Sequence, residues 1–325
     1  MARISGITPS GHTQLGNYLG AIRQWARHTE PGDVYFVADM HAITRPYNPR
    51  KLRALTREQF AVLIAAGVPA QHIFVQSDLM AELASLTWIL ECCCTYGEAR
   101  RMTQFKDKAQ EQNTVKLGLL TYPVLMAADI LLHGADEIPV GDDQSQHVEL
   151  ARTLAKRFNR QFGDVFALPK TVLPDTAARV ADLADPSRKM SKSTRDAHGV
   201  VFVLDSPDLV RRKIMRAVTD GLARVEYRPA EQPGVANLLE ILAACTDETP
   251  ENVAADIDHY AQLKSITADA VVELLRPIRK RTDDLLADPD ELARIRQNGA
   301  RFAKQRAHSR LSAAMTMAGL GGQFS

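Results

Sequence analysis

Four short stretches of the chain are rich in β-branched and aromatic residues, and longer amphipathic stretches separate them. The strand-like runs are ARISGI, DVYFVADM, HIFVQSD and DEIPVG, at residues 2–7, 33–40, 72–78 and 136–141. Between the first three runs and just after the third, apolar side chains recur at three- and four-residue spacing, which predicts helices over 17–29, 49–67 and 82–93. Strands that alternate with helices predict an α/β protein whose parallel sheet is covered on both faces. Sheets of this kind bind ligands at the carboxyl ends of their strands.

The pattern changes after about residue 174. Residues 174–199 are rich in Pro, Asp, Ser, Arg and Lys, which predicts a mobile connection. Beyond this segment the spacing is helical, beginning with 206–219. The last helix is predicted to begin near Pro289, with Asp288 as its cap, and to end at Gly319. We therefore expect two domains, a sheet domain over 1–188 and a smaller α-helical domain over 189–325.

Composition narrows the class of protein without identifying it. The 325 residues include 40 basic and 39 acidic side chains, so the net charge of +1 gives no general sign of nucleic-acid binding. The N-terminus lacks an apolar core of signal-peptide length, and the apolar run 117–132 is too short to span a membrane comfortably. We expect a cytoplasmic protein. The four cysteines form no C-x-x-C pair, which favours free thiols over a metal site.

The segment SGITPSGHTQLGNYLGAIRQW, at 5–25, predicts a strand, a turn and a helix start. Gly16 and Asn17 fall at that start, where free backbone N–H groups and the helix dipole favour phosphate. Gly11 permits a close backbone approach after the turn Pro9-Ser10-Gly11. An ordinary βα loop and a phosphate-binding elbow are both compatible with this segment alone.

A second segment, Lys-Met-Ser-Lys-Ser at 189–193, decides between these alternatives. Two lysines on a Ser-bearing loop suit a polyphosphate whose charge distribution changes during reaction. Together the two segments resemble the HIGH and KMSKS signatures of the class I aminoacyl-tRNA synthetases. The resemblance implies a Rossmann-like nucleotide-binding domain. In the HIGH spacing, Gln14 occupies the first histidine position, and His12 is out of register.

Three further stretches resemble the bacterial tryptophanyl branch of that family: VADMHAIT at 37–44, MTQFKDK at 102–108, and TYPVLMAADILL with PVGDDQSQHVELARTLAKRFN at 121–132 and 139–159. The residues themselves agree with this match. If Pro123 begins a helix, Tyr122, Met126 and Asp129 lie on one side of it. An aromatic ring, a thioether and a carboxylate then face one pocket, where Asp129 can accept the indole N–H. Core packing of Tyr122 and Met126, and an Asp129 bonded only to protein, remain as alternatives.

The resemblance implies an enzyme that activates L-tryptophan with ATP to tryptophanyl-adenylate and then charges tRNA(Trp). It implies a homodimer and Mg²⁺ bound with the ATP phosphates; we expect no dedicated protein metal site and no membrane association. The implied phosphate-contacting catalytic residues are Lys108, Lys189 and Lys192, with Lys106 as a further candidate. The implied ATP-binding residues are Thr8, Pro9, Ser10, Gly16, Asn17, Gly141, Asp142, Asp143, Val180, Lys189, Met190, Ser191, Lys192 and Ser193. The implied tryptophan-binding residues are Asp129, Tyr122, Met126, Gln144 and His41.

Three positions depart from the family pattern: Gln14 replaces the usual Thr or His, Thr8 a frequent Gln, and Ile4 a common Phe. These changes put kinetics and inhibitor sensitivity in doubt. Two other functions remain as alternatives, a tyrosyl-tRNA synthetase and a synthetase paralogue with a binding or regulatory role. The segment Gly141-Asp142-Asp143-Gln144 argues against the tyrosyl enzyme, whose relatives usually carry a GGSDQ-like segment there.

Overall fold

The computed structural model describes residues 2–110, 114–141, 144–172, 180–192 and 197–321, with the backbone only for 107–110. Within these residues the strands are β1 Ile4–Ile7, β2 Val34–Val37, β3 Ile73–Val75, β4 Glu137–Pro139 and β5 Lys170–Val172. The four predicted strands are confirmed in position, although each is shorter than predicted. The sequence did not predict β5, because three residues are too few to show a strand periodicity.

All the strand pairs are parallel. β2 lies between β1 and β3, with Ile4 opposite Val34 and Tyr35 opposite Ile73. β4 pairs with β5, and a parallel bridge between Arg3 and Glu137 joins this pair to β1. The spatial order is therefore β3-β2-β1-β4-β5, which is the order of a Rossmann-type sheet. The strand order reverses between β1 and β4, and ligands of such sheets bind at this point.

Helices surround the sheet and make up the C-terminal region. A π-helical turn, Tyr18–Ile22, joins the first two helices. The α-helices are α1 Leu15–Asn17, α2 Arg23–His28, α3 Asp39–Ala42, α4 Pro49–Ala65, α5 Met80–Cys93, α6 Tyr96–Arg101, α7 Thr103–Gln110, α8 Leu117–His133, α9 Ser145–Phe162, α10 Pro207–Met215, α11 Pro233–Thr246, α12 Pro250–Ala255, α13 Tyr260–Ala287 and α14 Pro289–Met317.

Side-chain caps explain where several of these helices begin. The Asn48 side chain accepts the N–H groups of Arg50 and Lys51 at the start of α4. Asp288 accepts the Glu291 N–H at 2.9 Å, which confirms the predicted start of α14. Each cap satisfies backbone N–H groups that have no partner inside the helix. The end of α14 at Met317 falls two residues before the predicted Gly319.

The prediction that α8 begins at Pro123 is wrong. The helix begins six residues earlier, at Leu117, and Pro123 lies inside it. Proline is favoured in the first turn because it has no N–H to donate, and at position 123 the same lack leaves the Leu119 carbonyl without its usual helical donor. Leu119 and Pro123 are both buried, so the helix continues through the proline within the packed core.

The sheet is covered on both faces, as predicted. Along β2, Tyr35 and Val37 belong to one buried cluster, and Val34 and Phe36 belong to the other. The first cluster joins the sheet to α4, α11 and α13, so it contains residues from both sides of the predicted boundary at 188/189. The second joins the sheet to α5, α8, α9 and α14. The boundary itself stays a prediction.

Candidate active site

A cavity of about 630 Å³ opens where the strand order reverses. Ile4 and Gly6 of β1 form one wall, and Ile138 and Val140 from β4 and its end form another. Gly6 leaves no room for a side chain, because an added Cβ would come within 2.7 Å of the Phe36 ring. The cavity therefore occupies the crevice in which a Rossmann-type sheet binds its ligand.

One end of the cavity contains a buried carboxylate. Asp129, on α8, is 2% exposed and lines the cavity. Its Oδ2 lies 2.9 Å from His41 Nε2, and Gln76 Nε2 donates to both of its oxygens at 2.9 Å. Two ionised oxygens have about four acceptor positions, so these protein bonds leave capacity for another donor. The environment combines features of both alternatives: Asp129 is paired within the protein and also faces the cavity.

Gln76 is a site residue that the sequence did not indicate. Its side chain is fully buried, and besides holding Asp129 it accepts the backbone N–H groups of Met40 and His41 through Oε1. One amide thereby fixes both the carboxylate and the beginning of α3. A glutamine that follows a strand in VQSD belongs to no recognisable motif, and only the proximity of β3 to α8 reveals its role.

The cavity wall beside Asp129 is formed by aromatic and polar side chains. Met126, Tyr122 and Gln144 line it, as predicted from the spacing along α8 and from the resemblance. The Tyr122 hydroxyl lies 3.2 Å from His147 Nε2, whose Nδ1 lies 3.0 Å from Gln144 Oε1. His147 itself is buried and orients its neighbours from behind the wall. Tyr122, Met126 and Asp129 therefore share one face of α8.

Thr8, Pro9 and Ser10 line the opposite side of the cavity, directly after β1. The Gln59 amide donates to the Gly11 carbonyl at 2.7 Å and so fixes this turn from α4. His12 points away from it, since its Nδ1 lies 2.8 Å from a Glu58 carboxylate oxygen and its side chain is exposed. This position agrees with His12 being out of register in the HIGH motif.

The start of α1 is pressed against the segment 180–192. A Cβ on Gly16 would lie 3.1 Å from the Val180 Cβ, so only a glycine permits this approach without a shift. The neighbouring Asn17 Oδ1 is buried without a hydrogen-bond partner among the described residues. Gly16 and Asn17 lie beside the cavity rather than in its wall. Residues 180–192 are therefore held against the elbow, and the mobility that the composition predicts for 174–199 stays a prediction.

Within that segment, Val180 and Met190 are buried and the Met190 N–H donates to the Val180 carbonyl at 3.1 Å. Lys189 is exposed. Lys192 turns inward, so that its Nζ lies 3.5 Å from the Thr8 carbonyl oxygen. Burial lowers the pKa of Lys192 to about 7, and the Glu58 carboxylate opposes this change only in part. Among the described residues no carboxylate is in salt-bridge contact with Lys192, and a largely buried amine of this kind is suited to receive an anionic ligand.

Several predicted site residues cannot be placed. The side chain of Lys108 and all of Asp142, Asp143 and Ser193 lie outside the described residues. Lys106 is exposed on α7, Ser191 is partly buried beside Met190, and Gly141 is exposed two residues beyond the end of β4.

Among the side chains that the structure describes, no three His, Cys, Asp or Glu residues come together as a possible metal site. Within the same part of the chain, no helix combines the length and apolar character needed to cross a membrane.

The fold and cavity define a nucleotide-binding protein of the Rossmann type, and comparison with known proteins specifies the family. Residues 1–276 match the family model described as tRNA synthetases class I (W and Y), and the chain belongs to this family. It is similar to tryptophan–tRNA ligase 1 of Streptomyces coelicolor, with 48% identity over 98% of both chains.

Two solved structures resemble the whole molecule. The crystal structure of tryptophanyl-tRNA synthetase from Mycoplasma pneumoniae matches with a TM-score of 0.89 and 34% identity over 98% of both chains. The Campylobacter jejuni tryptophanyl-tRNA synthetase complexed with ADP and tryptophan matches with a TM-score of 0.84 and 28% identity, over 98% of this chain and 100% of that one. The recognition from sequence is thereby confirmed.

Proposed function

We propose that the protein is a tryptophan–tRNA ligase. A carboxylate oxygen of L-tryptophan attacks the α-phosphorus of ATP, and the bond from that phosphorus to the oxygen bridging to the β-phosphate breaks. Pyrophosphate leaves with the bonding electrons, and tryptophanyl-adenylate remains. A hydroxyl of the terminal ribose of tRNA(Trp) then takes the acyl group, AMP leaves, and the hydroxyl proton is released.

The buried position of Asp129, facing the cavity, is the observation that supports tryptophan as the amino-acid substrate. A buried carboxylate that faces the cavity can accept the single N–H of an indole, while Tyr122 and Met126 contact its ring. Phenylalanine would fill part of the space and leave that acceptor desolvated and unpaired. A site built around one hydrogen bond rejects analogues that lack the donor by up to ~10⁴–10⁵-fold.

The first step requires positioning and charge stabilisation rather than a protein nucleophile, because the substrate carboxylate is already nucleophilic. We assign binding of the ATP phosphates to the turn Thr8–Ser10 and to Lys189, Lys192 and Lys108. Lys192 supports this assignment, since its Nζ already lies over the Thr8 carbonyl beside the cavity. Mg²⁺ enters with the phosphates and supplies further charge neutralisation there.

We assign the nucleoside of ATP to the groups around the elbow and the end of β4. The Asn17 Oδ1, which has no hydrogen-bond partner in the part of the chain that the structure describes, supports contact with the nucleotide at the start of α1. Val180, Met190 and Ser191 would border the adenine, and Gly141, Asp142 and Asp143 the ribose, with Ser193 beside the phosphates. Gln144 and His41 would complete the amino-acid site, since both line the cavity.

A homodimer in the cytoplasm is the form that we propose for the active enzyme. One face of α5 supports a dimer: Ala81, Ala84, Ser85, Trp88 and Cys92 are all exposed and none is charged. Trp88 is 66% exposed, which is unusual for the largest apolar side chain unless another surface covers it.

The proposed reaction is tested by ATP–pyrophosphate exchange with each of the twenty amino acids, followed by charging of tRNA(Trp). We expect exchange with tryptophan and esterification of the tRNA. Exchange driven by tyrosine would replace this proposal with the tyrosyl enzyme. Tryptophan-dependent exchange without charging would support the paralogue.

A further inference from the structure

Gln14 occupies an unusual position between the two signature segments. Its side chain is 2% exposed and lies at the N-terminus of α1. The Oε1 atom accepts the N–H of Gly16, and Nε2 donates to the Met190 carbonyl oxygen at 3.0 Å. Both ends of one amide are thus used, one to cap the elbow helix and the other to hold a residue 176 positions away.

The backbone on both sides of Gln14 bonds to the chain that follows the Lys-Met-Ser-Lys-Ser segment, at Val201 and Val203. Leu15 N–H donates to the Val201 carbonyl at 2.8 Å, and Val203 N–H donates to the Thr13 carbonyl at 2.9 Å. The elbow therefore pairs with the chain after the segment. These bonds are made by the backbone, so they do not depend on which side chain stands at position 14.

The near end of the segment is held differently. Ala181 and Lys189 form an antiparallel bridge, and the Asn237 side chain bonds both backbone groups of Ala181, with distances of 2.8 and 3.1 Å. These contacts fix the segment to α11, not to the elbow. Among the described residues, the bond from Gln14 Nε2 to Met190 is the hydrogen bond that links Met190 directly to the elbow.

We propose that Gln14 is a positioning residue for the activation step, which sets the distance between Met190 and the elbow and so places Lys189 and Lys192 over the phosphate-binding turn. This inference rests on the proposed function. Lys192 lies two residues beyond Met190 and reaches Thr8, and a Cβ on Gly11 would already come within 3.0 Å of the Lys192 carbonyl oxygen. A segment packed this closely transmits a small shift at Met190 to the lysine.

Two substitutions separate this role from helix capping. Threonine is also a good N-cap, so Gln14→Thr keeps an acceptor for the Gly16 N–H but is too short to reach the Met190 carbonyl. Gln14→Glu keeps the length and the cap and replaces the amide donor by an acceptor. The matched control is Thr249→Ala, which deletes the cap that accepts the Asn252 N–H at the start of α12, far from the site in sequence.

The kinetic measurement is tryptophan-dependent ATP–pyrophosphate exchange. We expect both Gln14 variants to lower the exchange kcat by about 10- to 100-fold, as small misplacements of positioning groups do, while the KM for tryptophan changes less than about twofold. The Thr249 control should keep the wild-type kcat. An unchanged kcat in both Gln14 variants would overturn the proposal. So would a fall in kcat that is accompanied by an equally large rise in the KM for tryptophan.

A second measurement does not depend on activity. Hydrogen–deuterium exchange of peptides covering 186–192 in the ligand-free protein should be faster in both Gln14 variants than in the wild type, with peptides from α11 unchanged. Equal protection in variants and wild type would overturn the proposal. If the wild type catalyses no exchange with any amino acid, the proposed function fails, and the peptide measurement still tests whether Gln14 holds the segment.

Discussion

At the scale of single residues, the cavity is organised by a carboxylate that is buried but not isolated. Asp129 could be predicted because a charged residue inside MAADILL must be paired or functional. Its partners His41 and Gln76 come from elements that are 88 and 53 positions away, and no local pattern indicates the second. Burial and charge can be inferred from a sequence, whereas the identity of a long-range partner depends on the packing.

The role of Gln76 is tested by Gln76→Glu. This change should place a second carboxylate against Asp129 and replace an amide that donates to both Asp129 oxygens. Two adjacent carboxylates disfavour ionisation of both, so one of them takes up a proton. We expect tryptophan affinity, measured by isothermal titration calorimetry, to fall at least about tenfold, with ATP affinity little changed.

The control for this change is Gln71→Glu, at an exposed position on the other side of β3, just before the strand. Gln71→Glu should bind tryptophan as the wild type does. A wild-type affinity in Gln76→Glu would show that Gln76 does not maintain Asp129 as an acceptor.

The lowered pKa of Lys192 predicts that the protein takes up a proton when it binds ATP. A pKa of about 7 in the ligand-free protein means that most Lys192 side chains are neutral at pH 8. Phosphate charge raises the pKa of a neighbouring ammonium group, so binding ATP should draw a proton from solvent. Calorimetry in two buffers of different ionisation enthalpy measures this uptake, and the apparent ATP affinity should fall as the pH rises above 7.

Lys192→Arg is the matched variant, because arginine stays protonated throughout this range. It should bind ATP with less proton uptake and with a weaker dependence on pH. Identical uptake by the variant and the wild type would assign the proton to another group.

At the scale of helices and strands, a prediction from sequence is accurate where the residues that determine an element lie within that element or next to it. The start of α14 was correct because Asp288 and Pro289 determine a helix start through their own backbone chemistry. The start of α8 was wrong because a proline inside a helix is tolerated when the neighbouring packing compensates for it, and packing is not local. The short β5 was missed for lack of length.

The packing of α14 on the sheet depends on one glycine. Gly299 faces the backbone at the start of β3, and a Cβ there would lie 1.8 Å from the Ile73 carbonyl oxygen. Gly299→Ala should therefore lower the free energy of unfolding by about 1–3 kcal/mol, although alanine has the better helix propensity by about 1 kcal/mol.

Urea denaturation measures this difference. Asn298→Ala, at the exposed neighbouring position on the same helix, should leave stability unchanged or raise it slightly. A stability gain in Gly299→Ala would mean that α14 does not approach β3 this closely.

At the scale of the whole molecule, two buried clusters unite the sheet with its helices, and the first contains both α4 from the sheet region and α13 from the helical region. The alternation of strands and helices predicted the parallel sheet, and the resemblance implied a Rossmann-like domain, whereas the strand order came from the structure. How the C-terminal helices cover the sheet was not predictable, because the sequence of an amphipathic helix shows which face is buried but not which surface that face packs against.

The exposed, uncharged face of α5 predicts a dimer contact, and a single charged side chain introduced there should disrupt the dimer. Trp88→Glu should place a carboxylate in the contact and convert the dimer to monomer in sedimentation-velocity experiments at micromolar concentration. Leu222→Glu, at an apolar position that is also exposed, is the control and should remain dimeric. A dimeric Trp88→Glu protein would place the contact on another surface.

The central claim is that Asp129 recognises the indole N–H, and the benzothiophene analogue of tryptophan tests it most directly. This analogue replaces the N–H group by sulfur and keeps nearly the same shape. In ATP–pyrophosphate exchange, we expect the wild type to prefer tryptophan by at least about 10²-fold in kcat/KM. Asp129→Ala should lose most of that preference through a loss of activity with tryptophan. Equal use of tryptophan and its analogue by the wild type would contradict the account.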